Sequence, residues 1–83
     1  MASLRWSEDS LRDIALIDSV IAQRIVAKMK WLEDNFEDIV PEKLHRNLKG
    51  LYKLRVGDYR VIYTTDGDLI VIQAVGHRRD IYR

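Results

Sequence analysis

No cysteine occurs among the 83 residues, so disulfides and thiolate metal sites are excluded and the redox compartment is not written in the chain. The only proline is Pro41, and it ends any helix that reaches it. The four glycines fall singly at strand ends and turns, so there is no glycine-rich loop to cradle a phosphate. No apolar run approaches the ~20 residues that span a bilayer. The N-terminus lacks a basic segment followed by an apolar one, as a signal peptide would have, and a cytoplasmic protein is the default reading. His45 and His77 have no third ligand converging on them, so neither a metal nor a cofactor is expected. There is no Ser-His-Asp or Cys-His arrangement for nucleophilic catalysis.

What is present suits one soluble domain over residues 1–83, with 47% hydrophobic and 33% charged residues. The net charge is only +1, but it is unevenly placed. Residues 1–42 hold 5 Lys and Arg against 9 Asp and Glu, and residues 43–83 hold 9 against 4, so the halves carry −4 and +5. A surface facing a polyanion, built from the C-terminal half, is one consequence; mutual attraction of the halves is the other.

The basic half centres on the stretch from Leu51 to Tyr63, two alternating strands joined by Gly57-Asp58. A two-residue loop sets Val56 opposite Tyr59, Arg55 opposite Arg60, Leu54 opposite Val61, Lys53 opposite Ile62 and Tyr52 opposite Tyr63. Opposed residues share a face. One face then carries Tyr52, Leu54, Val56, Tyr59, Val61 and Tyr63, and the other carries Lys53, Arg55, Arg60 and Ile62. Opposed like charges are unfavourable, so an anion is expected between them.

The remaining elements are read from caps and periodicity. Residues 3–6 alternate as an edge strand. Ser7 has the character of an N-cap, with Glu8 and Asp9 in the first turn. Leu11, Ile14, Ala15, Leu16 and Ile17 supply the apolar side of a first helix. Asp18-Ser19 breaks it, with Ser19 as the next cap. Ile21, Ile25, Met29, Leu32 and Phe36 lie on one face of a second helix over about 19–36, fraying near Asp34 to Glu37. Residues 42–49 form a basic connector whose Leu44 and Leu48 plug the core. Asp66-Gly67 predicts a second hairpin loop that sets Arg60 opposite Gln73 and Ile62 opposite Val71, with Val75 on the cationic face. The fold class is therefore α+β, a two-helix hairpin on one face of a small curved antiparallel sheet in the order β-α-α-β-β-β.

Lys53, Arg55 and Arg60 have the chemistry of a phosphate clamp, in which arginine forks hold oxygens bidentately and lysine acts as a point charge. A solvated strand face is the plainer alternative. Arg78 or Arg79, following Gly76, would return to the same rim, the plainer alternative being a loose basic C-terminus. Gln73, His77, Arg79, Lys49 and Arg46 are candidates for holding substrate around the clamp. Tyr82 is suited to stacking on a base or to moving a proton, or else folds with Ile81 onto the apolar part of the sheet.

Two runs, Leu48-Lys49-Gly50-Leu51-Tyr52-Lys53-Leu54-Arg55-Val56-Gly57-Asp58-Tyr59-Arg60-Val61-Ile62-Tyr63 and Val75-Gly76-His77-Arg78-Arg79-Asp80-Ile81-Tyr82, resemble the RelE/ParE superfamily of bacterial and archaeal toxins, and the likeness extends over nearly the whole chain. The resemblance implies a RelE-like fold and a cognate antitoxin as partner. RelE-type members cut mRNA in the ribosomal A site, whereas ParE-type members poison DNA gyrase without nuclease activity. Tyr52 to Arg55 and Gly76 to Tyr82 look more like the RelE side. By that likeness Lys53, Arg55, Arg60, Arg78 and Tyr82 are the catalytic positions of an endoribonuclease. The implied reaction is attack of an RNA 2′-hydroxyl on the adjacent phosphate. Lys53 or Tyr82 would assist the hydroxyl, Arg55 and Arg60 would hold the phosphate, and Arg78 would meet the leaving oxygen. A gyrase inhibitor and a non-cleaving RNA-binding module are the alternatives. Arg55 stands where some RelE toxins have lysine, and no Glu lies beyond Glu42 to form a Glu-His pair.

Overall fold

The computed structural model describes residues 1–45 and 48–81, with the backbone alone at 48–49. Strand β1 (Ser3–Trp6) leads into helix α1 (Glu8–Ala15) and helix α2 (Ser19–Asn35), which ends in a 3-10 turn (Phe36–Asp38). Four strands follow: β2 (Glu42–His45), β3 (Leu48–Val56), β4 (Tyr59–Asp66) and β5 (Leu69–His77). They form one sheet in the order β1-β5-β4-β3-β2, with β1 parallel to β5 and the other pairs antiparallel. Two helices on one face of an α+β sheet agree with the sequence reading. The differences are a fifth strand and a mixed rather than purely antiparallel sheet.

Local chemistry starts each helix. The Ser7 hydroxyl oxygen accepts the Ser10 N–H at 3.1 Å, and the Ser10 hydroxyl donates to the Ser7 carbonyl at 2.8 Å, which satisfies a fully buried serine. Asp18, not Ser19, caps α2, its carboxylate accepting the Val20 N–H at 3.2 Å. A carboxylate there also meets the positive end of the helix dipole. Ile25, Met29 and Leu32 of α2 are fully buried against Val61, Tyr63, Ile70 and Ile72 of the sheet. Ile14, Ile17, Ile21, Phe36, Tyr52 and Leu54 pack around them. Leu16 stays outside at 88% exposure.

The first hairpin has the predicted register in all five pairs from Tyr52↔Tyr63 to Val56↔Tyr59. The second does not. Asp66 pairs with Leu69, so the loop is Gly67-Asp68 rather than Asp66-Gly67. An Asp-Gly loop of the expected type needs positive φ at both central residues. No non-glycine residue among those described has positive φ, and both loops instead place glycine first, at φ 58° for Gly57 and 57° for Gly67.

A second shift comes from a β-bulge. Pairing runs Tyr63↔Ile72 and then Ile62↔Ala74, leaving Gln73 as the extra residue. Val75 consequently turns into the core, only 5% exposed, and Gly76 rather than Gln73 lies opposite Arg60. The bulge is braced by α1. The Ser7 hydroxyl donates to the Gln73 carbonyl at 3.3 Å, and the Asp13 carboxylate accepts the Val75 N–H at 2.9 Å.

The expected connector at 42–49 is in part the edge strand β2, pairing Glu42 with Lys53 and Lys43 with Tyr52. Its exposed Glu42 and Lys43 are charges of the kind that keep an edge strand from recruiting another chain. Leu44 is half-buried on this strand, and the side chain of Leu48 lies outside the described residues. No helix among the described residues is long and apolar enough to cross a membrane.

Candidate functional site

The hairpin register brings the three predicted cations together on the sheet face away from the helices. Arg55 and Arg60 are direct cross-strand partners, and Lys53 pairs with Ile62 one step along the same face. With Glu42 they line one cleft of about 160 Å³. Lys53 and Arg60 are half-buried and Arg55 is exposed. The Arg55 Nε–H donates to the Gly57 carbonyl at 3.1 Å, which turns its guanidinium toward the hairpin loop.

Glu42 is the member that sequence reasoning missed. It faces Lys53 across the β2–β3 ladder, and its carboxylate lies 3.6 Å from the Lys53 Nζ. Had residues 42–45 been read as a strand running back along β3, the pairing would have exposed it. Three cations and one carboxylate leave the cleft positive. It offers oxygen-seeking donors for a phosphate and one group able to accept a proton.

The end of β5 is tied to the tip of the first hairpin. The Arg78 N–H donates to the Asp58 carbonyl at 2.9 Å, fixing the backbone of Arg78 at the tip of the first hairpin. The side chains of Arg78 and Arg79 are exposed there, outside the residues that line the cleft. Gln73 stays on the cationic side of the sheet, but its amide donates to the Thr64 hydroxyl at 3.1 Å and it is displaced from Arg60 by the bulge. His77 is not brought to the cleft. The bulge gives it the same face as Val75, where its ring meets Tyr59 edge-on at 5.4 Å and its Nδ1 accepts the Arg79 N–H at 3.2 Å. Arg46 and Tyr82 lie outside the described residues, as does the side chain of Lys49.

On the helix side, Tyr63 is 1% exposed and stacks on Tyr52 at 5.6 Å. Burial pushes its phenol up to about 12, with smaller contributions from Tyr52 and Glu42. Among the described residues no group of three or more His, Asp or Glu is placed to hold a metal ion.

Comparison with known proteins agrees with this architecture. The family model for the ParE toxin of the type II toxin–antitoxin system parDE matches residues 4–82. Toxin RelG of Mycobacterium tuberculosis is 44% identical over 46 residues, which cover 53% of this chain and 53% of that protein. The match thus spans about half the length of this curated relative. A chain in the RelBE2 toxin–antitoxin complex of Mycobacterium tuberculosis superposes with a TM-score of 0.79 at 28% identity, covering 93% of this chain and 98% of that one. The isolated RelE toxin of E. coli shares the fold with a TM-score of 0.76 at 22% identity, over 99% of this chain and 92% of its own.

Proposed function

This chain belongs to the ParE toxin family of type II toxin–antitoxin systems, and from that premise we propose that it is a ribosome-dependent mRNA endoribonuclease held in check by a cognate antitoxin. The observation that carries this reading is the cleft lined by Lys53, Arg55, Arg60 and Glu42. A polyanion with a scissile phosphate fits such a cleft.

In the proposed reaction the RNA 2′-oxygen bonds to the adjacent phosphorus and the bond from phosphorus to the 5′-oxygen breaks. The products are a 2′,3′-cyclic phosphate and a 5′-hydroxyl end. Glu42 takes the proton of the 2′-hydroxyl, since the Lys53 ammonium has no lone pair to accept one. Arg55 and Arg60 hold the phosphate and the charge that builds on its oxygens, and Lys53 adds a point charge beside them. Arg78 at the rim meets the leaving 5′-oxygen, which takes its proton from water. Gln73, Arg79, Lys49 and Arg46 keep the role of substrate contacts. Tyr82 keeps the base-stacking role to which its aromatic ring is suited. The ribosome supplies the ordered mRNA.

A second reading, inhibition of DNA gyrase, is favoured by the match to the ParE family model. Inducing the protein without its antitoxin and mapping RNA 5′ ends separates the two. We expect cuts within codons at the ribosomal A site, and their loss in the double variant Arg60→Ala, Arg78→Ala. Full cleavage by that variant would overturn the site assignment. Intact transcripts accompanied by DNA breaks would support gyrase instead.

A further inference from the structure

Gly76 is the residue directly opposite Arg60 in the β4–β5 ladder, on the face that carries the cationic cleft. Its backbone does not call for glycine, because its φ is not among the positive ones. What matters at this position is the side chain that lies over it. A β-carbon at this position would lie 3.5 Å from the Ile81 Cβ and 3.7 Å from Ile81 Cγ1 and Cδ1, and these are its three nearest neighbours. The chain returns over Gly76 through one tight turn, in which the His77 carbonyl accepts both the Asp80 N–H at 2.9 Å and the Ile81 N–H at 3.1 Å. The turn is fastened on its other side by the Arg78 N–H to the Asp58 carbonyl and by the Tyr59–His77 edge contact.

We propose that Gly76 is a positioning residue: with no branched side chain there, Ile81 seats over its backbone, and the seated isoleucine closes the 77–81 turn that holds Arg78 at the tip of the first hairpin. This builds on the endoribonuclease reading for its effect on activity. The seat itself is a matter of packing and stands apart from that reading.

The geometry ranks the substitutions. Alanine places its methyl at ordinary van der Waals distance and is accepted. Valine adds two methyl groups beyond that point, in space Ile81 already fills, and its β-branched side chain is otherwise well suited to a strand. Gly76→Val should therefore lift the turn without unfolding the sheet. A displacement of about 1 Å at a catalytic group can cost on the order of 100-fold in rate, so a loss of at least about 10-fold in mRNA cleavage is expected.

The test is a double-mutant cycle on ribosome-bound mRNA with the wild type, Gly76→Val, Ile81→Ala and the double variant. Amide exchange of Asp80, Ile81 and Val61 is followed by NMR in parallel. If valine acts by evicting Ile81, it costs much less in the Ile81→Ala background than in the wild type. Protection at Asp80 and Ile81 then falls in Gly76→Val, while Val61 in the core of β4 keeps its own. Equal cost of valine in both backgrounds, or unchanged protection of the turn, would overturn the seat. Loss of protection at Val61 would assign the effect to the sheet as a whole and overturn it too. A wild-type protein that leaves mRNA intact defeats the endoribonuclease reading, and the exchange pattern then decides the seat by itself.

Discussion

Glu42 and Lys53 show how one pair sets the character of the cleft. Their 3.6 Å contact places a carboxylate among the three cations that line the cleft. The Glu42 side chain is 69% exposed, so the pair itself adds little to stability. Its meaning is chemical. Glu42→Gln removes the negative charge while keeping the shape. RNA should bind more tightly to the variant, because a repulsive charge is gone. Cleavage at saturation should fall by about 100-fold or more, the usual contribution of a positioned general base. Single-turnover cleavage across a range of toxin concentrations separates the two effects. Unchanged cleavage at saturation would remove Glu42 from the proton-transfer role. The three cations were legible from the alternation of the hairpin alone. Glu42 was not, because a short charged segment on a sheet edge lacks the apolar alternation by which strands are recognised.

At the scale of elements, the contact between α1 and the β5 bulge determines what the site looks like. A bulge interrupts ladder hydrogen bonding and leaves backbone groups to be satisfied elsewhere. Here Ser7 donates to the Gln73 carbonyl and Asp13 accepts from the Val75 N–H. The bulge turns Val75 inward, gives His77 the helix side and leaves Gly76 across from Arg60. Asp13→Ala strands the amide of a buried residue, at a cost of about 1–3 kcal/mol. For a domain of this size each kcal/mol lowers Tm by about 4–8 °C. Asp13→Asn keeps an acceptor oxygen and should lose less than the alanine variant. Thermal unfolding followed by circular dichroism measures both, and equal Tm values for wild type and Asp13→Ala would show that the bulge stands without its brace.

At the scale of the whole molecule, the core joins both helices to the sheet at Tyr63. This residue contacts the same buried cluster as Ile25, Met29, Leu32, Ile70 and Ile72. Its phenol titrates near 12 in the folded chain and near the ordinary 10 when unfolded. Between those values the folded state binds the proton more tightly. Stability from this group is therefore whole below pH 10 and is lost as pH rises toward 12, at up to about 1.4 kcal/mol per pH unit. Urea unfolding at pH 9 and pH 11 should show a lower midpoint at the higher pH, and Tyr63→Phe should reduce that difference. An undiminished difference in the phenylalanine variant would assign the alkaline loss to other groups. The acidic N-terminal part and basic C-terminal part are also joined through the β2–β3 pairing, since Glu42 of the former meets Lys53 of the latter.

The sequence by itself determined what depends on neighbours along the chain. These features are the spacing that buries Ile25, Met29 and Leu32, the Ser7 cap, and the loop that opposes Arg55 to Arg60. Each is enforced within a few residues by helix period, by a side chain reaching a nearby amide, or by a two-residue turn. The tertiary structure alone decided the β2 strand, the bulge, the face taken by His77 and the seat under Ile81. The bonds that brace the bulge join residues 66 and 62 positions apart, Ser7 to Gln73 and Asp13 to Val75. Their geometry exists only once α1 has docked on β5, and no local pattern in the chain encodes it.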